Sequence, residues 1–270
     1  LLTFEHKLKQ GMLSKGYTAD FADRLFNQIK GFGGYGFPES HSASFALLAY
    51  VSAWLKCHHP AAFYVGLLNS QPMGFYSPSQ LIQDARRHHI MVLPVDVNHS
   101  SWDHQILSSA DQQQPPIRLG LRLIKGLSEA AGQRIHTAQR QRAFANVADL
   151  RQRACLDRSD MEALAAADAL SGISGNRYQS HWQTMALEAH RPLLPYDSAA
   201  QRSQDDAAVT AAPTLPEDVV ADYQSTGLTL RSHPLSLLRH QPPFDRCRRQ
   251  TELETLGNHC FVRVAGLVTC

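Results

Sequence analysis

Residues 117–142 read IRLGLRLIKGLSEAAGQRIHTAQRQR. Six cations lie in this stretch (Arg118, Arg122, Lys125, Arg134, Arg140 and Arg142) against a single acid, Glu129. Its centre has the layout of a helix-hairpin-helix. An apolar residue precedes Gly126, apolar Leu127 and small Ser128 follow, and a helical run then carries Ala131 and Ile135. Such a hairpin aims backbone N–H groups at one phosphate beside a helix N-terminus, and so holds a nucleic-acid backbone without reading its sequence. Lys125, Gly126, Ser128 and Arg134 are the candidate DNA contacts. Ser128 takes the place of the second hairpin glycine, which weakens the N–H geometry. An ordinary αα-hairpin with a solvated basic face fits the same residues, and both readings stay open at this point.

Toward the C-terminus, LAAADALSGISGNRYQSHW (164–182) reads as a degenerate second hairpin with Arg177 as its nearby cation. The whole region from about Ile117 to Ala189 reads as short helices. Residues 191–216 are rich in Pro, Ala, Ser and Asp and read as a linker. PEDVVADYQSTGL and HPLSLLRH are then helical, and the apolar stretch at 259–270 reads as a strand that opens a β-rich domain.

Toward the N-terminus, residues 4–30 read as two helices. The segment GFGGYGFPESHSASFALLAYVSAWLKCHHP follows at 31–60, beginning as a glycine loop. Neither a Walker loop nor a dinucleotide fingerprint fits, because the Gly-Lys-Ser/Thr ending and the preceding strand are both missing. Successive glycine N–H groups and the next helix N-terminus can still face an anion, with His41 beside them. A tight turn with a capping histidine is the competing reading. Lys56 is excluded as a partner of His41 on the same phosphates, since the intervening helix spans about 22 Å. That helix is apolar on two sides, as expected of a buried or cleft-lining element. Pro60 starts a further helix to about Asn69, Ser77 or Ser79 caps another, and IMVLPVDV and HQILSS read as strands.

Bulk properties exclude several classes. With 270 residues there is chain for one to three domains, and a net charge of +2 is only mildly basic. The five cysteines are scattered and lack CxxC spacing, which argues against a disulfide framework or zinc ribbon and favours a cytoplasmic setting. There is no signal peptide or bilayer-spanning stretch, so no membrane partner is expected. No metal-ligand spacing or nucleophilic triad occurs, and no metal-binding residue is assigned. Both ends read as elements already under way, so the chain is read as an internal piece of a larger protein.

The motifs together resemble a known family. GYGFPESHSASFALLAYVSAWLKCHHPAAF is similar to the fingers of the bacterial C-family DNA polymerases, the polymerase III alpha subunits. LNSQPMGFYSPSQLIQDARRH, RLGLRLIKGLSEAAGQRI, VADYQSTGLTLRSHPLSLLR and VRVAGLVTC resemble its error-prone, DnaE-like branch. The resemblance implies a mainly α fold: a helical fingers subdomain, a helix-hairpin-helix region and the first strand of a C-terminal OB-fold. The implied divisions are 1–110 (fingers), 111–190 (helix-hairpin-helix), 191–216 (linker), 217–258 (helical connector) and 259–270 (start of the OB-fold). It further implies an error-prone, template-directed polymerase active in damage-induced mutagenesis and translesion synthesis, with primer–template DNA and deoxynucleoside triphosphates as partners. Gly34, Tyr35, Gly36, Ser40 and His41 fall where the family closes on the incoming nucleotide. The Mg²⁺-binding aspartates belong to the family's palm, upstream, so no catalytic residue is assigned and this piece alone is expected to be inactive. The sliding-clamp peptide is poorly matched by RPLLPYD (Arg191–Asp197), which lacks the Gln, and recruitment by mutagenesis-complex proteins is the implied substitute. The replicative alpha subunit and a non-enzymatic helix-hairpin-helix DNA-binding module are the alternatives.

Overall fold

Helices dominate the architecture of the computed structural model, which describes residues 2–35, 39–107, 114–187 and 211–266. The chain divides into two units, residues 1–59 and 60–270.

In the first unit, α1 (Leu2–Ser14) turns at Gly16, whose φ of +85° suits a residue without Cβ, and α2 (Ala19–Tyr35) packs back against it. Ala22 and Phe26 are the residues this pair buries. Lys9 joins the two helices, with Nζ 2.8 Å from Asp23 and 5.2 Å from the Phe26 ring centroid. The glycine loop expected from residue 31 is instead the end of α2, which continues to Tyr35. Glycine lowers helix stability by about 1 kcal/mol per residue but forms the i→i−4 ladder, and no proline interrupts it before Pro38. The next helix is α3 (Glu39–His58). Of the two readings, burial or a cleft lining, burial does not hold: its large apolar side chains are exposed, Leu47 by 64% and Tyr50 by 70%.

The second unit holds the main core. Helices α4 (Pro60–Asn69) and α5 (Pro78–Arg87) pack together beside a small sheet. Pro60 opens α4 as expected. Ser77 caps α5 in a reciprocal box: Gln80 N–H donates to Ser77 Oγ at 3.3 Å, and Ser77 N–H donates to Gln80 Oε1 at 3.0 Å. The sheet has the order β1–β3–β2, with β1 (Val92–Leu93) parallel to β3 (Ile117–Arg118) and β2 (Gln105–Ile106) antiparallel to it. Val92 pairs with Ile117, and Gln105 with Arg118. The strand at β3 replaces helix where the region from Ile117 was read as wholly helical. Ile117 is buried, and a central strand supplied by distant neighbours overrides local pattern.

Five helices follow: α6 (Glu129–Gln141), α7 (Val147–Arg153), α8 (Arg158–Ala166), α9 (Ser171–Ser174) and α10 (Arg177–Ala186). Their buried faces, including Ile135, Leu150, Met161 and Leu164, continue the core begun by Tyr64, Leu68 and Ile117. Asn146, Asp157 and Asn176 cap α7, α8 and α10 through side-chain oxygens. Two glycines permit close approach. A Cβ on Gly132 would lie 2.3 Å from the Trp102 ring, and one on Gly120 would lie 2.4 Å from the backbone of Trp102 and Asp103.

Beyond residue 210 the chain forms α11 (Leu215–Ser225), α12 (Pro234–Leu238) and α13 (Gln250–Leu253). α11 begins within the tail of the expected linker, because Pro216 sits in its first turn and Glu217 accepts from Thr214 N–H at 2.8 Å. The strand expected at 259–270 is not formed over 259–266; residues 267–270, and most of the expected linker, lie outside the described residues. Arg248 N–H donates to Arg263 O at 2.8 Å, but no strand ladder forms among the described residues here, and Phe261, Val262 and Val264 are exposed. No described helix is long and apolar enough to cross a membrane.

Candidate nucleic-acid interface

The hairpin at residues 121–141 is built by three local devices. A 3-10 turn at Leu121–Leu123 sets the first arm, Gly126 turns the chain at φ +86°, and Ser128 caps α6 by accepting from Ala131 N–H at 3.2 Å. Leu121, Ile124 and Leu127 point into the core, so the bend is anchored from beneath. The N–H groups of Gly126, Ser128, Glu129 and Ala130 make no hydrogen bond among the described residues. They leave the bend and first turn of α6 presenting donors at the positive end of a helix dipole.

The cations read from the sequence are engaged differently. Lys125 is exposed, but its Nζ donates to Tyr223 O at 3.1 Å and Gln224 O at 3.0 Å. Arg134 Nε donates to Ala154 O at 2.9 Å, and its Nη2 lies 3.3 Å from Asp160 Oδ2. It thereby ties α6 to the junction of α7 and α8. Burial and neighbouring Asp157 push the Asp160 carboxyl above the usual carboxylate range, and the Arg134 guanidinium opposes this only in part. Arg122 donates to Asn69 O at 2.9 Å and Asp103 Oδ1 at 2.8 Å, and Arg118 donates to Pro94 O at 3.0 Å. Arg142 and Arg153 share Asp149. Of the sequence-read cluster, Arg140 is exposed and makes no ion pair among the described residues. The bend itself is Lys125, Gly126 and Ser128, with Arg134 two turns along α6.

The second hairpin, 164–182, is formed as well. Gly175 turns at φ +100°, and Asn176 Oδ1 accepts from Gln179 N–H at 2.9 Å. Its cation is not at the surface. The Arg177 side chain is 3% exposed and pairs with Asp218 at 2.9 Å and with Asp222. Arg231 completes the cluster, 2.7 Å from Asp168 and 2.8 Å from Asp222. Burial pushes the Asp218 carboxyl up, against the pull of Arg231 and Arg177. Sequence reading missed this network. The available signal was Asp218 and Asp222 at i, i+4 on one helix face, but their partners lie far along the chain.

Entry to the first hairpin depends on His104. Its buried Nδ1 accepts from Gly120 N–H at 3.1 Å, which requires the neutral ring, and burial lowers its pKa to about 4.

The nucleotide candidates lie in the first unit. Gly34 and Tyr35 are in the last turn of α2, Ser40 is in the first turn of α3, and Gly36 lies outside the described residues. His41 is exposed, its ring set edge-on to Phe45 at 4.6 Å. No group of three or more His, Cys, Asp or Glu side chains among the described residues is placed to hold a metal ion.

Residues 89–180 match the family model described as a helix-hairpin-helix motif, a span that includes the three strands, the first hairpin and all but the last two residues of the second. That defines the class. Over its whole length the chain is similar to proteins named error-prone DNA polymerase. It is 57% identical to the error-prone DNA polymerase of Saccharophagus degradans and 56% identical to that of Teredinibacter turnerae, in each case over 100% of this chain and 26% of the relative. Against the Methylococcus capsulatus protein of the same name it is 51% identical, over 99% of this chain and 27% of the relative. The chain thus spans about a quarter of the length of the curated relatives it matches.

Proposed function

We propose that this chain is the duplex-gripping part of an error-prone DNA polymerase, the intact protein carrying out template-directed deoxynucleotidyl transfer across damaged template. The observation that carries the reading is the first hairpin: a φ-positive glycine, a serine cap and four N–H groups without partners among the described residues, all seated on the core. Such a surface suits one backbone phosphate and ignores base identity. The identity to error-prone DNA polymerases over the whole chain supports the polymerase assignment.

The remaining roles belong to the same proposal. His41 and the flanking ends of α2 and α3 meet the triphosphate of the incoming nucleotide, with primer–template DNA held at 121–141. The Mg²⁺ chemistry lies with residues outside this chain, and activity requires them.

Duplex binding by the intact protein tests the reading. Affinity for primer–template should fall linearly with salt on logarithmic axes and show no sequence preference. His41→Ala should raise the KM for deoxynucleotide without altering duplex affinity. Duplex retention that ignored salt, or a His41→Ala enzyme with unchanged KM, would remove the respective assignment.

A further inference from the structure

The sequence offers Lys125 as a cation for phosphate, yet its hydrogen bonds point inward to the end of α11. Nζ donates to Tyr223 O at 3.1 Å and Gln224 O at 3.0 Å, and the Lys125 N–H donates to Ser225 O at 2.9 Å. These are three consecutive carbonyls in the last turn of α11. Tyr223 O also accepts from Gly227 N–H at 3.2 Å, and the last carbonyls of a helix form the negative end of its dipole, so an ammonium is a natural occupant. The lysine stem runs alongside Gly227, whose Cβ would lie 3.9 Å from Lys125 Cε.

The same helix is held on its flank by the second hairpin. Arg177, the first residue of α10, pairs with Asp218 and Asp222, and Arg231 links Asp222 to Asp168 on the opposite arm of that hairpin. α11 therefore meets the first hairpin through its C-terminal carbonyls and the second through its acidic face, and spans the two.

We infer that Lys125 is a positioning residue for duplex binding: it anchors the Lys125–Gly126 bend to α11, so that the N–H groups of residues 126 and 128–130 stand at a set distance from the second hairpin. The inference rests on the duplex-binding reading above. It differs from a phosphate contact in what the ammonium does: as a brace it releases no counterion from DNA, and as a contact it releases about one.

The experiment uses the intact protein with a labelled primer–template duplex, titrated over a series of salt concentrations. Lys125→Met keeps the stem and removes the donors; Lys125→Arg keeps donors that reach the same carbonyls. Lys125→Met is expected to weaken binding roughly tenfold, about the effect of one charge-assisted hydrogen bond, with the salt slope unchanged. Amide exchange at Lys125, whose N–H donates to Ser225 O, should accelerate, and Lys125→Arg should restore most of the affinity. A slope lowered by about one with exchange unchanged would overturn the inference in favour of a direct phosphate contact. Unchanged affinity in Lys125→Met would overturn it as well. If the unmodified protein bound no duplex, the underlying reading would fall and the inference with it, a result distinct from any change of slope.

Discussion

The two hairpins share a backbone design and differ in where their charge goes. Each turns on a glycine at positive φ, Gly126 or Gly175, and each caps the following helix with a short polar side chain, Ser128 or Asn176. In the first, the cation at the bend stays exposed and reaches sideways to helix carbonyls. In the second, Arg177 is drawn inward to two aspartates and is nearly sealed from solvent. A glycine and a cation at hairpin spacing therefore specify a bend, whereas the role of the cation depends on which distant element packs beside it.

The most severe way to break that comparison is Arg177→Ala. A surface phosphate ligand could be lost without harm to the fold, but removing one partner of a buried ion cluster leaves carboxylates uncompensated. A loss of about 3–5 kcal/mol in urea unfolding is expected. A stable variant with a reduced salt slope in DNA binding would make Arg177 a phosphate ligand and erase the distinction.

Acid should act on the first hairpin. His104 is neutral when folded, with a pKa of about 4, and an unfolded histidine titrates near 6.5. Between those values the unfolded state binds the extra proton. Stability is therefore unaffected by this group above about pH 6.5, and falls as pH drops toward about 4, by about 3 kcal/mol at most. His104→Gln should flatten that part of the stability–pH profile. An equally steep profile in the variant would clear His104 of the role.

The smallest effect is the most diagnostic for symmetry. Ser128→Ala and Asn176→Ala each remove one N-cap and should each cost about 1 kcal/mol in thermal or urea unfolding. Ser128→Ala should also reduce duplex affinity, because the donors of the first bend are set by that cap. Equal loss of affinity from both substitutions would show that the hairpins grip DNA alike.

Local chemistry was legible where it acts over a few residues. Pro60 opens its helix, Ser77 of the two candidate serines caps the next, and Gly126 makes the expected bend, while Ser128, read as a replaced glycine, proves to be the cap of α6. Less local features were misread. The glycines at 31, 33 and 34 suggested a loop, yet α2 runs through them, since glycine weakens a helical ladder without removing a donor from it. The run from Ile117 looked helical, but its first two residues are held between two strands. Among the candidate contacts, nothing beside Lys125 in sequence announces Tyr223 and Gln224, and nothing beside Arg134 announces Ala154.

By itself the amino-acid sequence determined the helical character of the chain, most of its caps and the two glycine-centred bends, because these depend on φ preferences and on side chains bonding backbone three residues away. Only the tertiary structure decided which cations face outward. An ion's place depends on desolvation and on the carboxylates and carbonyls packed against it, and for Lys125, Arg177 and Arg231 those come from elements far away along the chain.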